Sequence, residues 1–168
     1  MILAEFLDSD HILLDVKASE HWPVIEELVD HLATKDALSD LCRERVLELL
    51  RKREEQTSTG IGSGVAIPHA FCEDLDDMVC VFARSREGVE FHALDHAPVH
   101  FIVLFLVPTS QYAMHLQTLA AIAKMFKNSE TRRQLHEADS RAEIMAVLGA
   151  RPTSRAPRSK SPKSELPQ

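Results

Sequence analysis

Three of the five glycines fall at alternate positions, Gly60, Gly62 and Gly64, in the segment TSTGIGSGVAIPHA, which reaches a histidine, His69, directly after Ile67-Pro68. Glycines lack a Cβ, so the backbone can bend sharply there and bring N–H groups close to an anion. A dinucleotide fingerprint needs GxGxxG between a strand and a helix, whereas here a helix comes first; a phosphate-binding Walker loop needs Gly-Lys-Ser/Thr, which is absent. Glycine spacing alone favours a tight turn and a bulged start of a strand. His69 changes the weighing. Proline fixes its own φ and biases its predecessor to extended structure, which places the imidazole at the end of an apolar strand. An imidazole there is a partly neutral nitrogen nucleophile whose second nitrogen is free to be oriented by a hydrogen bond. Covalent catalysis by histidine also needs groups to meet the charge of the transferred group. Arg53 and the hydroxyls of Thr57, Ser58 and Thr59 are the nearest candidates in sequence.

The other chemistry-bearing residues are weaker candidates. His92, His96 and His100 are spaced by four, which on a helix would line one face beside Asp95, but Pro98 interrupts them and Val99 onward reads as strand. A metal site there is disfavoured, and Asp95 reads as a turn residue. His11, His21, His31 and His136 have no partner spacing and read as surface or packing residues. Cys72 follows His69 by three residues, but a Cys–His nucleophile pair is made by the fold and not by proximity in sequence. His115 taken alone reads as a satisfied core histidine.

Ser58 to His69, STGIGSGVAIPH, resembles the phosphorylation-site segment of the type-2 enzyme IIA family of the bacterial phosphoenolpyruvate-dependent phosphotransferase system, which comprises fructose/mannitol-type and nitrogen-regulatory members. The resemblance extends along nearly all of residues 1–150, including REEQTSTG (Arg53–Gly60), FHALDHAPV (Phe91–Val99) and LVPTSQYAMHLQTL (Leu106–Leu119). Ser63 stands where the family often has asparagine. The resemblance implies that His69 takes the phosphoryl group, that His115 stabilises it and that Arg53 clamps its charge, with Ser58, Thr59, Gly60, Gly62, Ser63 and Gly64 forming a phosphate loop. It implies a cytoplasmic phosphocarrier that needs no cofactor and no metal. The donor would be an HPr-like phosphohistidine protein, and the output an enzyme IIB or regulatory target proteins. The nitrogen-regulatory branch is favoured over a sugar-specific enzyme IIA, and a non-catalytic binding module is the alternative of another class.

The elements that must position these residues follow from periodicity. His11–Val16 reads as a first strand. Apolar pairs from Val24/Ile25 to Leu32/Ala33 predict a helix with Pro23 in its first turn, and a second helix runs from Ser39 as N-cap to about Arg53. Thr57–His69 has neither period. Met78–Ala83 and Val99–Val107 read as strands, the latter apolar enough to be covered on both faces. After Pro108, Leu116, Leu119, Ala120, Ala123 and Phe126 trace one helical face, and Ser140 with Glu143 forms a capping box for a last helix. The expectation is an α/β single domain, a mixed β-sheet flanked by helices.

Composition bounds the rest. The 168 residues are 45% apolar and 27% charged, suited to one globular domain with a core. The longest strongly apolar run, Val99–Val107, is far short of the ~20 residues of a membrane helix, and no signal layout is present at the N-terminus. Three cysteines without a CxxC pair fit a reducing compartment. Residues 151–168 hold five Lys or Arg against one Glu and four of the eight prolines, so residues 1–150 carry −11 of charge. That acidic body argues against nucleic-acid binding. The tail cannot bury enough apolar surface to offset its ordering entropy, which sets the domain at 1–150 and 151–168 as a disordered basic, Pro/Ser-rich tail.

Overall fold

The computed structural model describes residues 3–149 apart from 36 and 39, and the side chains of residues 40–42 are likewise not described. The Ser39 cap and the tail after residue 149 therefore lie outside the described residues.

A mixed sheet forms the middle layer. The two-residue strand β1 (Ile12–Leu13) pairs parallel to β5 (Val79–Val89), which runs antiparallel to the central strand β6 (Val99–Pro108). On the other side of β6 the chain from Val65 to Cys72 runs parallel to it as two short strands, β3 (Val65–Ala66) and β4 (His69–Cys72). Both keep one register, Val65 opposite Phe101 and His69 opposite Phe105. Ile67-Pro68 divides them, since proline has no N–H to give the ladder. A hairpin strand, β2 (Gly60–Gly62), covers β3 antiparallel and stops short of β4.

Because side chains alternate along a strand, each face of the sheet has its own core. Val65, Ile67, Phe101, Val103 and Phe105 point to the face covered by α3 (Tyr112–Lys127), α4 (Ser129–Glu137) and α5 (Arg141–Gly149). Ala66, Ala70, Ile102, Leu104 and Leu106 point to the face covered by α1 (His21–Thr34) and α2 (Asp40–Gln56). β6 is buried at nearly every position, as its unbroken apolar run requires. Among the described residues no helix is long and apolar enough to cross a membrane.

Several elements depart from the sequence reading. The first strand shrinks to Ile12–Leu13, because Asp8 caps the Asp10 N–H (3.0 Å) and winds Ser9–His11 into a 3₁₀ turn. β5 runs six residues beyond Ala83, through a register irregularity between Arg84 and Val89. The aperiodic stretch after α2 holds the β2–β3 hairpin. The expected face of α3 holds in part: Phe126 is buried and Leu119 packs against the core, but Leu116 and Ala120 are exposed, and the buried stripe is His115, Thr118, Ile122 and Phe126. α4 escapes an apolar-period reading because it buries a single large side chain, Leu135; Asn128 starts it by accepting from the Glu130 and Thr131 N–H groups (2.9 and 3.4 Å). The capping box of α5 holds in part: Ser140 Oγ accepts from the Glu143 N–H (3.1 Å), while Glu143 reaches Asp139 N (2.6 Å) and not Ser140 N.

Arg84 on β5 ties the layers together. It is 1% exposed and donates to the carbonyls of Leu14 (2.9 Å), Leu135 (2.8 Å) and Ala138 (2.5 Å), with Asp15 at 3.6 Å. It thereby satisfies carbonyls at the C-terminal end of α4. Arg84→Ala takes this donor from the Leu14 and Leu135 carbonyls, while Ala138 keeps Arg86 (3.2 Å), and urea unfolding should show a loss of about 3 kcal/mol. A change within about 0.5 kcal/mol, the range of an ordinary surface substitution, would refute this role.

Candidate functional site

His69 opens β4; the expected position at a strand's end is corrected, because Pro68 ends β3's pairing and the ladder resumes at the next residue. Its odd-numbered register turns the ring toward α3, where it lies parallel to Phe105 (centroids 5.3 Å, 15°). His115, in the first turn of α3, meets it at 4.8 Å and packs edge-on against Phe71 (4.7 Å). Both histidines are 7% exposed. Arg53 comes from α2 on the opposite face of the sheet. Among the described residues β4 has no strand on its outer side, so the guanidinium reaches past that edge: Nε donates to His69 Nε2 (3.3 Å) and Nη1 to the Thr57 carbonyl (3.0 Å). Three residues 16 and 46 positions apart in sequence thus converge on one imidazole.

The tautomer of His69 follows from its partners. A carbonyl oxygen only accepts, so the 2.8 Å contact between His69 Nδ1 and Ile67 O requires the proton on Nδ1. Nε2 then carries the lone pair, and the Arg53 N–H points at it. Burial holds the His69 pKa down, from 6.5 to about 4; Arg53 and His115 lower it too, while the Ile67 carbonyl and Glu54 oppose them. Burial and, next, Arg53 also lower His115. His115 Nδ1 is buried and has no hydrogen-bond partner among the described residues.

The glycine segment is the tight turn with an irregular strand start that its spacing predicts, and its tip lies away from the imidazole. Gly62, Ser63 and Gly64 form the hairpin tip with positive φ (99°, 57° and 75°), next to Asp95 and His100. Gly64 accepts from His100 N (2.8 Å), five register positions before Phe105, so the tip is about 16 Å from His69 along the strand. Three amides of the segment are already engaged: Thr59 by Glu54 (3.2 Å), Gly60 by Ser58 Oγ (3.1 Å) and Ser63 by Asp95 (3.1 Å). A Cβ at Gly60 would come within 2.8 Å of Ala93, which explains that glycine by close backbone approach. Ser58 and Thr59 lie nearer the imidazole, since the Thr59 carbonyl accepts from Ile67 N (3.0 Å). Asp95 is a turn residue as expected, accepting from Ala97 and Ser63, and these bonds lower its pKa.

The remaining histidines separate. His92 and His96 sit in the loop before β6 with φ of 54° and 58°, and His100 Nδ1 bonds Ser85 O (2.9 Å); no group of three or more potential ligands converges among the described residues. His21, read from sequence as unpartnered, meets Glu54 (2.7 Å). Sequence reasoning missed Glu54 and Phe105. Glu54 carried a signal, a carboxylate at the dipole-disfavoured end of a helix beside Arg53; Phe105 carried none beyond its strand.

A model of the family "Phosphoenolpyruvate-dependent sugar phosphotransferase system, EIIA 2" matches residues 5–150. The chain belongs to this family. Among EIIA relatives, it is 33% identical over 148 residues to the fructose-specific EIIABC component of Bacillus subtilis, covering 88% of this chain and 23% of that longer protein. Among solved structures, nitrogen regulatory protein IIA-Ntr from Neisseria meningitidis superposes with a TM-score of 0.79 at 35% identity, over 87% of this chain and 98% of that one. Enzyme IIAMtl of Escherichia coli, in its complex with phosphorylated enzyme IIBMtl, shares the EIIA fold at 19% identity (TM-score 0.72, 86% and 98% covered).

The site has a pH signature. By NMR titration His69 should stay neutral until about pH 4, and Arg53→Gln should raise that value without restoring 6.5, since burial is its first cause. The folded-state pKa lies below the unfolded one, so the stability contributed by neutral His69 is complete above pH 6.5 and lost as pH falls toward 4. An unshifted titration near 6.5 would refute the buried, neutral imidazole.

Proposed function

We propose that the protein is a cytoplasmic histidine phosphocarrier, in which His69 Nε2 accepts a phosphoryl group from an HPr-like phosphohistidine protein. The observation that carries this reading is the Nδ1–H bond to the Ile67 carbonyl, which leaves Nε2 unprotonated and directed at Arg53. In the transfer, the Nε2 lone pair forms the new N–P bond as the donor's N–P bond breaks; the proton on Nδ1 stays where it is. The phosphoryl brings ~−1.5 to −2 of charge if phosphohistidine behaves like other phosphorylated side chains. Arg53 moves from the lone pair to the phosphoryl oxygens, a charge-assisted contact suited to a guanidinium. His115, with a buried ring nitrogen that has no partner among the described residues, lies in the first turn of α3, where the dipole favours an anion. Positioning and charge stabilisation supply the catalysis.

The nitrogen-regulatory branch is the first reading of the output, supported by the better superposition and higher identity to IIA-Ntr than to the mannitol enzyme. In that reading the phosphorylation state itself is the signal to regulatory targets. A sugar-specific enzyme IIA donating to an enzyme IIB is the second, supported by the fructose-specific relative. Residues 1–150 are proposed to hold the whole transfer chemistry, with 151–168 a tail outside it.

Incubation with phosphoenolpyruvate, enzyme I and an HPr-type carrier should add the mass of one HPO₃ in an acid-labile linkage. His69→Ala abolishes the addition, and removal of residues 151–168 leaves it unchanged. Absence of labelling with several carriers, while a target protein still binds, would favour the non-catalytic binding module. His115→Ala should slow labelling or shorten the lifetime of the phospho-form without abolishing it; unchanged kinetics and lifetime would make His115 a packing residue.

A further inference from the structure

Glu54 violates two local rules. It lies two residues from the end of α2, where the helix dipole disfavours an anion, and its side chain is only 6% exposed although Arg51, Lys52, Glu55 and Gln56 around it are exposed. A buried carboxylate persists only where donors compensate its lost hydration. Three do so: His21 Nε2 (2.7 Å), the Thr59 N–H (3.2 Å) and the Thr59 hydroxyl. A carboxylate only accepts, so His21 is the donor at Nε2; its ring rests on Phe91 (4.1 Å), whose carbonyl takes the Ser58 hydroxyl (2.9 Å).

The anchored residue leads to the site. The Thr59 N–H is held by Glu54, the Thr59 carbonyl accepts from Ile67 N (3.0 Å), and the Ile67 carbonyl accepts from His69 Nδ1 (2.8 Å). Thr59, just before β2, and Ile67, just after β3, are therefore linked, the first held by a buried charge and the second by the imidazole. We propose that Glu54 is a positioning residue for His69: its carboxylate, held by His21, anchors Thr59, and the hydrogen-bond series from Thr59 through Ile67 keeps the imidazole in the tautomer that leaves Nε2 free. This rests on the phosphocarrier reading for its effect on transfer, but not for its effect on the ring. Arg53 and Glu54 thus divide the work, one meeting Nε2 and the other securing Nδ1 through the backbone.

The test compares the full chain with Glu54→Ala, His21→Phe and, as an exposed control on the same helix, Glu48→Gln, whose partner is Lys52. Long-range ¹H–¹⁵N spectra read the His69 tautomer, urea unfolding reads stability, and labelling from phosphoenolpyruvate through an HPr-type carrier reads transfer. Glu54→Ala should populate the Nε2–H tautomer and slow labelling by about 10- to 100-fold, the cost of misplacing a reacting atom. His21→Phe should do the same to a smaller degree, and Glu48→Gln neither. If both site variants keep the wild-type tautomer and rate, even with lowered stability, Glu54 is structural and the proposal is overturned. Should Glu54→Ala fail to fold, His21→Phe decides alone. If the wild type itself is not labelled, the phosphocarrier reading fails, and the tautomer measurement still decides this one.

Discussion

A single hydrogen bond, from His69 Nδ1 to the carbonyl of Ile67, organises the chemistry of this protein. It converts a symmetric ring into a directed one, with a proton committed to the backbone and a lone pair committed to the cleft. The Ile67 carbonyl is available because residue 67 turns its polar groups away from β6, toward Thr59: the Ile67 N–H donates to the Thr59 carbonyl, but the Thr59 N–H goes to Glu54 and does not return the bond. The carbonyl instead meets a side chain two residues on, while the register with β6 on both sides of Pro68 is preserved. A fold-level irregularity thus becomes a tautomer, and the tautomer selects the atom that can react.

The surrounding layers act on that ring from different faces of the sheet. Phe105 and α3 bury it, which keeps it neutral; α2 brings a cation round the open edge to the free nitrogen. Neutrality and a facing guanidinium are compatible because both disfavour the imidazolium. An anion attached at Nε2 reverses the balance, since the same guanidinium then attracts.

Much of this was legible before coordinates. His69 stands out by residue type and motif, with Arg53 a nearby cation in sequence; His115 and the role of Arg53 come with the family resemblance, and the structure brings the three together. The central strand followed from its unbroken apolar run, and the αβα layering from interleaved periods. What failed to show had local causes. Gly62, Ser63 and Gly64 form the tight turn that their spacing favours, but spacing conveys backbone freedom and not location, and the phosphate loop implied by the resemblance has this part a strand's length away at a hairpin tip. On α3, Phe126 and Leu119 do face the core, but the apolar period also admits Leu116, which is exposed, and misses Thr118, polar by type and buried. α4 rests on its Asn128 cap and one buried leucine, too little for periodicity. His21 and Glu54 are 33 residues apart, and no spacing rule connects them.

The shared register of β3 and β4 has an evolutionary corollary. One residue inserted or deleted between Val65 and His69 would flip the parity of the strand, sending the imidazole into the layer of α1 and α2 and away from its aromatic bed. Two residues would restore parity but slide the ring roughly 7 Å along β6. The stretch before this histidine is therefore a ruler, and drift in such a lineage is expected to change its letters far more readily than its length.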